Sequence, residues 1–320
     1  MTASGVAFLS GPEFLEHYTG LGHVESPQRL AAIWEALVEE GLKEKLLWLD
    51  PAPAREDDLL LVHEPDYVEL VRREVAEGRA MLSTGDTNVS ARSYEAALLA
   101  AGAGATAVKA VCEGSARAAF CAVRPPGHHA TPTRGMGFCV FNNIAIAARI
   151  AQRDHGVGRV LIVDWDVHHG NGTQETFYDD PTVMYFSVHQ DWAYPVPLTG
   201  MGFAHETGEG PAEGTNLNCP VPHRSGDEEV LAAVEKRLLP AAKAFAPELV
   251  LISAGFDARA GDPLGRLDVS DEGFARMTAA VMEIAAGSAG GRIVSMLEGG
   301  YSLRGLASAT VAHIRTLMGE

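Results

Sequence analysis

The sequence predicts an α/β fold built on a parallel sheet, in a single domain that spans residues 1–320. Short apolar runs rich in β-branched residues recur along the chain and end in Gly, Pro, Asp or His. These runs are continuously apolar rather than alternating, which suits strands that are covered on both faces. Helix-like stretches lie between them, and no linker rich in proline or serine divides the chain. One doubly wound domain is therefore the economical interpretation.

Five of the apolar runs predict strands, and these are Ala118–Val123, Val160–Val163, Val183–Val188, Leu249–Ser253 and Ile293–Leu297. The other periodic stretches predict helices, at Gln28–Glu40, Ser93–Cys112, Asn143–Asp154, Asp227–Ala244, Asp271–Ala286 and Leu303–Met318. The residues from Gln190 to Arg224 are rich in Gly and Pro and predict a long loop. Long loops in compact domains tend to carry function, so this one is a candidate rim of a binding site.

The composition is acidic, with 42 Asp and Glu against 25 Lys and Arg and a formal net charge of −17. Such a surface repels phosphate backbones and anionic membranes, so we expect neither nucleic acid nor a membrane as a partner. The charge either keeps the protein soluble, which is the simpler interpretation, or attracts cationic substrates such as polyamines and lysine-rich tails.

The cysteines and the N-terminus bear on the compartment. Four cysteines without CxxC or CxxH spacing indicate buried thiols in a reducing environment. The first residues lack the basic and apolar segments of a secretory leader, and we find no run of about 18 apolar residues. We therefore expect a cytoplasmic protein.

Chemically active side chains follow four of the predicted strands. In open parallel sheets, ligands bind at the carboxyl ends of the strands. Here those ends carry His128 and His129, then Asp164, Asp166 and His168, then Asp257, and finally Glu298 and Tyr301. The convergence of strand ends predicts a polar site at one edge of the sheet.

The second of these groups has the spacing of a metal site. If the segment is extended, Asp164, Asp166 and His168 share one face, because alternate residues of a strand point the same way. With Asp257 as a third ligand, Asp166 and His168 match catalytic zinc, which keeps a fourth position open for water. A lone Asp-x-His more often only caps a turn. Burying three carboxylates without a cation, however, would cost several kcal/mol or force protonation.

Two other strand ends offer acid–base and hydrogen-bonding groups. His128 and His129 follow Pro-Pro-Gly, and an imidazole can take a proton from metal-activated water and return it to a leaving amine. Tyr301 follows two glycines, and its phenol could donate to a developing oxyanion. The alternatives are that the histidine pair fills surface or core and that the tyrosine is an ordinary core residue.

These residues lie within segments that together resemble the zinc-dependent histone deacetylase superfamily, which includes bacterial histone deacetylase-like amidohydrolases, acetylpolyamine amidohydrolases and acetoin-utilisation proteins. The likeness runs in the expected order from about His23 to Ser302. The segments are HVESPQRL (23–30), VHEPDYVELV (62–71), GDTNVSARSYEAALLAAGA (85–103), RPPGHHA (124–130), GFCVFNN (137–143), DWDVHHGNGTQ (164–174), AGFDARAGDP (254–263) and LEGGY (297–301).

The resemblance implies an arginase/deacetylase α/β fold, in which a central eight-stranded parallel sheet is flanked by helices in three layers. It implies one zinc ion per chain, held by Asp166, His168 and Asp257. The implied activity is removal of acetyl or other acyl groups from amines, with an acetyl-lysine side chain or a small acetylated amine such as an acetylpolyamine as substrate.

The resemblance also implies a role for each catalytic side chain. His129 would be the general base and acid, and His128, oriented by Asp164, its electrostatic partner. Tyr301 would polarise the acyl carbonyl. Asn171 stands where class I enzymes have an aspartate, so the chain is closer to the class II pattern.

Further residues are implied around this centre. Gly137 and Phe138 would form one wall of a narrow channel, Tyr194 is assigned to the opposite wall, and Asp86 to substrate selection. A structural potassium ion would use Asp164, Asp166, His168 and Ser187.

Two other functions remain open. An arginase-like hydrolase with two metal ions needs further carboxylates beside the shared ligands, yet Gly255 and Arg259 stand two residues from Asp257. A binding protein that recognises acylated amines without cleaving them would not need the catalytic side chains that are present. The sequence does not choose the amine, the length of the acyl chain or whether the chain forms a homo-oligomer.

Overall fold

One parallel sheet of eight strands runs through the computed structural model, which describes residues 5–320. The prediction that the N-terminus carries no secretory leader falls partly on residues 1–4, which lie outside the described residues. The strands are β1 (Val6–Leu9), β2 (Leu47–Leu49), β3 (Ala118–Cys121), β4 (Val160–Asp164), β5 (Val183–Gln190), β6 (Asn216–Val221), β7 (Leu249–Ala254) and β8 (Ile293–Leu297). Their order in the sheet is β2-β1-β3-β8-β7-β4-β5-β6. The predicted α/β fold with an eight-stranded parallel sheet is confirmed.

All five predicted strands are present, with ends shifted by up to two residues. Strands β1, β2 and β6 were not predicted, because they lack a long, continuously apolar run rich in β-branched residues. Strands β1 and β2 have only four and three residues, too few to separate from a loop by their pattern. Strand β6 contains Asn216, Asn218 and Pro220, and proline is tolerated there because β6 lies at the edge of the sheet.

Strand β6 also corrects the loop predicted between Gln190 and Arg224. That segment is not structureless, because it contains β6 and a short helix. The helices of the chain are α1 (Gln28–Glu39), α2 (Glu56–Leu59), α3 (Pro65–Ala76), α4 (Ser93–Cys112), α5 (Asn143–His155), α6 (Asn171–Phe177), α7 (Val196–Thr199), α8 (Asp227–Ala233), α9 (Leu239–Phe245), α10 (Asp271–Ser288) and α11 (Leu303–Met318).

One predicted helix is interrupted. Instead of a single helix over Asp227–Ala244, α8 passes through a π-helical segment, Val234–Leu238, into α9. Pro240 lies in the first turn of α9, and proline removes the backbone donor that a regular α-helix needs at its position. The wider helical turn just before it is consistent with that missing donor.

Helix α4 is long and apolar enough to cross a membrane by length and composition, although polar residues interrupt its apolar sequence. Its most apolar 18-residue window is 61% buried within the protein, where the helix packs against α5, β3 and β8. A core helix of the fold passes the same test. Its alanines and glycines lie close to the sheet, so α4 belongs to the core of the domain.

The order of the strands explains where the polar residues meet. Strands β3, β8, β7 and β4 are consecutive neighbours in the sheet. Because they are parallel, their carboxyl ends lie at the same edge. The segments after these four strands carry the histidine pair, Tyr301, Asp257 and the Asp166–His168 pair, so residues far apart in sequence come together there.

Candidate active site

Asp166, His168 and Asp257, here called the ligand triad, lie at the centre of this edge. Their ligand atoms are all within 4.8 Å of one another. The Nδ1 atom of His168 lies 3.1 Å from Asp166 Oδ1 and 3.2 Å from Asp257 Oδ2. Both carboxylates are fully buried. The predicted convergence of these three side chains is therefore present.

The hydrogen bonds of the triad fit a bound cation. Backbone donors occupy both oxygens of Asp166, through Gly299 N on Oδ2 over 2.8 Å and His168 N on Oδ1 over 2.9 Å, but only Oδ1 of Asp257, through Val167 N over 2.8 Å. Asp166 Oδ1 and Asp257 Oδ2 face a single imidazole nitrogen, His168 Nδ1, which carries at most one proton. Asp257 Oδ2 has no hydrogen-bond partner among residues 5–320. A buried anionic oxygen without a partner is costly unless a cation binds it.

Charge reinforces this conclusion. Burial and the neighbouring charge of Asp166 raise the pKa of Asp257 to about 7. Burial also opposes the ionisation of Asp166, but the positive charges of His128 and His168 outweigh it and hold its pKa below the usual range. Two carboxylates that cannot both ionise comfortably are well suited to a divalent ion, and carboxylate and imidazole ligands match zinc.

The chain reaches the triad through bends rather than through an extended segment, which corrects the expected alternation. Asp164 is the last residue of β4, and its Oδ1 accepts from Asp166 N over 3.1 Å. Asp166 Oδ1 in turn accepts from His168 N over 2.9 Å. Aspartate side chains commonly fold the following backbone in this way. The other oxygen of Asp164, Oδ2, faces His128.

Two glycines make room for the triad. A Cβ atom at Gly255 would collide with Asp166, and one at Gly299 would collide with the carboxylates of both Asp166 and Asp257. The backbone of the β7 and β8 ends must approach the ligands this closely, so only glycine fits.

His128 and His129 lie side by side, with ring centroids 4.0 Å apart, in opposite electrostatic surroundings. His128 Nδ1 is 3.0 Å from Asp164 Oδ2. Burial alone would lower the pKa of His128, but the carboxylates of Asp164 and Asp166 raise it to about 10. Burial and the positive charge of His128 hold the pKa of His129 well below its usual range. His128 is thus held protonated and His129 neutral.

Asn171 fixes the tautomer of His129. Its Nδ2 donates to His129 O over 3.3 Å, and a carbonyl can only accept, so the amide oxygen must be the atom that faces the ring. That oxygen lies 2.9 Å from His129 Nδ1. Nδ1 therefore carries the proton, and Nε2 keeps a free lone pair. A neutral amide also leaves His129 without the carboxylate that His128 has.

The channel predicted above the triad is a cavity of about 330 Å³. Gly137 N donates to Asp86 Oδ1 over 2.7 Å, and the Tyr194 hydroxyl donates to the same oxygen over 3.3 Å. Asp86 thus links the wall formed by Gly137 and Phe138 to Tyr194, the residue assigned to the opposite wall. The residues that line the cavity are Asp86, His129, Gly137, Phe138, His168, Gln190, Ala193, Tyr194, Leu264 and Tyr301.

Tyr301 is held in the cavity wall by Asp262, a residue whose role no sequence pattern had marked. Asp262 Oδ2 accepts from Tyr301 N over 2.7 Å and from Ser302 N over 3.0 Å. Its Oδ1 accepts from the backbone of Leu264 and Gly265 over 2.9 and 3.1 Å. One carboxylate therefore joins the Tyr301 loop to the cavity rim. Burial raises the pKa of the Tyr301 phenol well above its usual value, so it remains a proton donor.

Two more residues support the site, and the sequence assigned a role to neither of them. Glu298 Oε2 accepts from Gly127 N and His128 N over 2.7 and 3.1 Å, which anchors the histidine loop to the end of β8. The Tyr185 hydroxyl donates to Asp164 Oδ2 over 3.0 Å. Glu298 was expected among the polar residues at the strand ends, but without a role. Tyr185 is one of many residues in an apolar strand, and nothing in its sequence context marks it.

The predicted potassium ligands are only partly assembled. Ser187 is the register partner of Asp164 in the β4–β5 pair. Its hydroxyl lies 2.8 Å from His189 Nδ1, however, and both oxygens of Asp164 already accept hydrogen bonds. The potassium site stays a prediction.

Known proteins resemble this chain over almost its whole length. The protein family described as Histone deacetylase domain matches residues 23–317. "Histone deacetylase 10, chloroplastic" of Oryza sativa subsp. japonica is 43% identical over 314 residues, which are 93% of this chain and 70% of that protein. The "Histone deacetylase-like amidohydrolase" of Pseudomonas aeruginosa is 40% identical, with 93% of this chain and 77% of that protein covered.

A human relative and a solved structure extend the comparison. "Polyamine deacetylase HDAC10" of Homo sapiens is 41% identical over 93% of this chain, which spans only 45% of that protein's length. The crystal structure titled HDA15 HD domain superposes with a TM-score of 0.92 at 38% identity, covering 99% of this chain and 89% of that one.

Proposed function

Because the chain belongs to the histone deacetylase family, we propose that it is a zinc-dependent hydrolase that removes acetyl or other acyl groups from amines. The observation that carries the proposal is the ligand triad, in which two buried carboxylate oxygens face one imidazole nitrogen. A neutral histidine and a tyrosine line the same cavity. This combination suits hydrolysis of an amide bond.

Asp166, His168 and Asp257 would hold the metal ion. When bound, zinc supplies a Lewis acid for the acyl oxygen and lowers the pKa of a water molecule. The donor set of two carboxylates and one imidazole fits that ion. The second site of an arginase-like hydrolase has poor support, because Gly255 packs against Asp166 and Arg259 is paired with Asp271 at 3.1 Å.

The side chains around the triad would handle the protons. His129 takes a proton from the attacking water at Nε2, since Asn171 holds its other nitrogen protonated. It then returns this proton to the departing amine. His128, held protonated by Asp164, places a positive charge beside the negative charge that develops in the transition state. The Tyr301 hydroxyl donates a hydrogen bond to the acyl oxygen as it becomes negative.

The channel would orient the substrate. Phe138 and Tyr194 are aromatic walls, and Gly137 leaves space where a Cβ atom would meet both His129 and Tyr194. A slot of this kind accepts an unbranched aliphatic amine and excludes water from the reacting bond. Tyr194 lies edge-on to His129, with ring centroids 5.1 Å apart, so the wall also packs against the proposed base.

Hydrolysis of a fluorogenic acetyl-lysine substrate tests the proposal. We expect turnover that disappears after rigorous chelation and returns with one equivalent of zinc per chain. Metal analysis should then give one divalent ion for each triad. Equal activity before and after chelation would refute the metal role, and two ions per chain would favour the arginase-like alternative. Zinc binding without turnover of any acyl amide would favour a binding protein.

A further inference from the structure

Two arginines stand side by side next to the mouth of the channel. Arg224 N donates to Arg266 O over 2.8 Å, and the two segments continue in parallel through the bridge between Gly226 and Asp268. Both arginines are exposed. With the exposed His223 they line a cavity of about 290 Å³. This cavity is separate from the one that contains the ligand triad.

The arginine pair is attached directly to the channel rim. Arg266 N donates to Gln190 Oε1 over 3.0 Å, and Gln190 lines the channel cavity. Leu264, two residues before Arg266, lines it as well. Two residues span at most about 7 Å of extended chain. A substrate in the channel therefore lies within reach of the pair.

Within residues 5–320, neither arginine forms a close ion pair, although Asp262 and Asp268 line the same cavity. Asp262 also lines the cavity, but its two oxygens already accept four backbone hydrogen bonds. Asp268 lines it too and pairs with neither arginine. Two adjacent cations on a chain with a net charge of −17 stand out against their surroundings.

The backbone holds Arg224 in a defined turn. Arg224 has a φ of 68°, in the left-handed region that a residue with a bulky side chain seldom adopts. It is the third residue of a turn closed by the hydrogen bond from Ser225 N to Pro222 O over 3.0 Å, a position at which a type II turn has a positive φ. This turn accompanies the backbone hydrogen bond that fixes Arg224 beside Arg266.

We propose that Arg224 and Arg266 form an anion subsite that binds a carboxylate side chain close to the acylated lysine of a peptide substrate. The proposal rests on the deacylase function proposed above and names its substrate class. Guanidinium groups bind carboxylates through paired hydrogen bonds. Residues of an extended peptide are about 3.3–3.6 Å apart, so an acidic residue one to three positions from the lysine reaches the pair. A cationic polyamine would be repelled there.

Matched peptides test the subsite. Acetyl-lysine peptides would carry Glu, Gln or Lys two positions from the acetyl-lysine, on either side, and kcat/KM would be measured for each. We expect the best Glu peptide to exceed its Lys counterpart by about 5-fold, which corresponds to an exposed charge contact of about 1 kcal/mol. The difference should lie mainly in KM and should shrink at high ionic strength.

Variants of the two arginines test whether they cause the preference for Glu peptides. R224Q/R266Q should abolish the preference for Glu, and R224E/R266E should reverse it. The matched control is R237E/R276E, which makes the same change of charge at two exposed arginines that line neither cavity. An unchanged Glu-to-Lys ratio in R224E/R266E, or an equal change in the control, would overturn the subsite.

Binding measurements separate this proposal from the function on which it rests. Fluorescence anisotropy of labelled peptides gives Kd whether or not the peptide is cleaved. A preference for Glu peptides in Kd that R224E/R266E reverses would support the subsite even if no peptide were hydrolysed. Absence of hydrolysis would then count against the proposed function alone.

Discussion

Two buried clusters of charge lie close together in this protein, and they are balanced in opposite ways. In the ligand triad, two carboxylates share one imidazole nitrogen, and Asp257 Oδ2 has no hydrogen-bond partner in the described chain. In the second cluster, here called the Glu25 cluster, Glu25 meets Arg29 and Arg124. Arg124 donates to both Glu25 oxygens, over 2.5 and 2.7 Å, and Arg29 donates over 3.2 Å.

The difference separates a structural cluster from a functional one. Burial by itself would raise the pKa of Glu25, but Arg124 outweighs it and the pKa falls to about 2. Arg29 also donates to Gly300 O and Glu298 O over 2.7 and 2.5 Å. Glu25 and nearby backbone carbonyls therefore supply hydrogen-bond acceptors for both arginines, and the Glu25 cluster holds the loop that carries Tyr301. The ligand triad leaves a deficit that a cation can fill.

Removing the proposed base should have the largest effect on activity and little effect on folding. His129→Ala should lower kcat by about 10²- to 10⁴-fold, the usual range for a general acid–base group. Its low pKa means that no buried charge is lost, so the melting temperature should stay close to that of the native chain. Steady-state kinetics and calorimetry check this. The control is His205→Ala, at an exposed histidine. A near-native kcat in His129→Ala would show that His129 is not the general base.

Breaking the Glu25 cluster should lower the free energy of unfolding, in contrast to His129→Ala, whose main effect is on activity. Glu25→Gln leaves two buried guanidinium groups without a carboxylate, so we expect the free energy of unfolding to fall by about 3–5 kcal/mol. Urea denaturation at pH 7 measures the loss. Glu16→Gln is the matched control, because Glu16 pairs with Arg92 on the surface at 2.8 Å and should lose at most about 1 kcal/mol. Equal losses of unfolding free energy in the two variants would show that the buried cluster stabilises the fold no more than a surface ion pair does.

Lowering the pH should gradually remove the stability that the ionised Glu25 carboxylate contributes. The pKa of Glu25 is about 2 in the folded protein and has a reference value of 4.5. A carboxylate with a lowered pKa contributes its full stability above the unfolded value, and that stability is lost as the pH falls towards the folded value. The difference in unfolding free energy between the native chain and Glu25→Gln should therefore narrow from pH 4.5 towards pH 2. A constant difference across this range would contradict the assignment.

The catalytic tyrosine should show an intermediate effect confined to the rate. Tyr301→Phe removes a donor to the developing oxyanion, and the loss of one such donor costs about 10²- to 10³-fold in kcat. Zinc affinity should be unchanged, because the phenol is not among the triad atoms. Parallel measurement of kcat and of zinc affinity in a chelator competition checks both parts. Full activity of Tyr301→Phe would exclude a catalytic role for the tyrosine hydroxyl.

The sequence predicted the ligand triad because strand ends of a parallel sheet must converge, and Asp166 and Asp257 each follow an apolar run. It did not predict the groups that hold the triad in place. Glu25, Asp262 and Glu298 act through hydrogen bonds to loops far away in sequence, and such contacts leave no periodic pattern. Strand β6 was missed for a related reason, since its buried asparagines serve polar contacts rather than an apolar core.

Asp262 gives the smallest expected effect and the sharpest test of how the loops support the site. Its carboxylate positions Tyr301 through the backbone and holds Leu264 at the rim. Asp262→Asn keeps the size of the side chain but replaces one accepting oxygen by a donor, which cannot bond to a backbone N–H. We expect kcat to fall by about 10-fold, corresponding to about 1.4 kcal/mol.

A double-mutant cycle distinguishes positioning of the tyrosine from general loosening of the protein. In the Tyr301→Phe background, Asp262→Asn should have little further effect on kcat, because the hydroxyl that Asp262 positions is already absent. Leu264 is held independently of Tyr301, so any rise in KM should persist in the double variant. Additive losses in kcat would instead mean that Asp262 supports the fold without directing the tyrosine, and it would then belong with the Glu25 cluster on the structural side of the comparison.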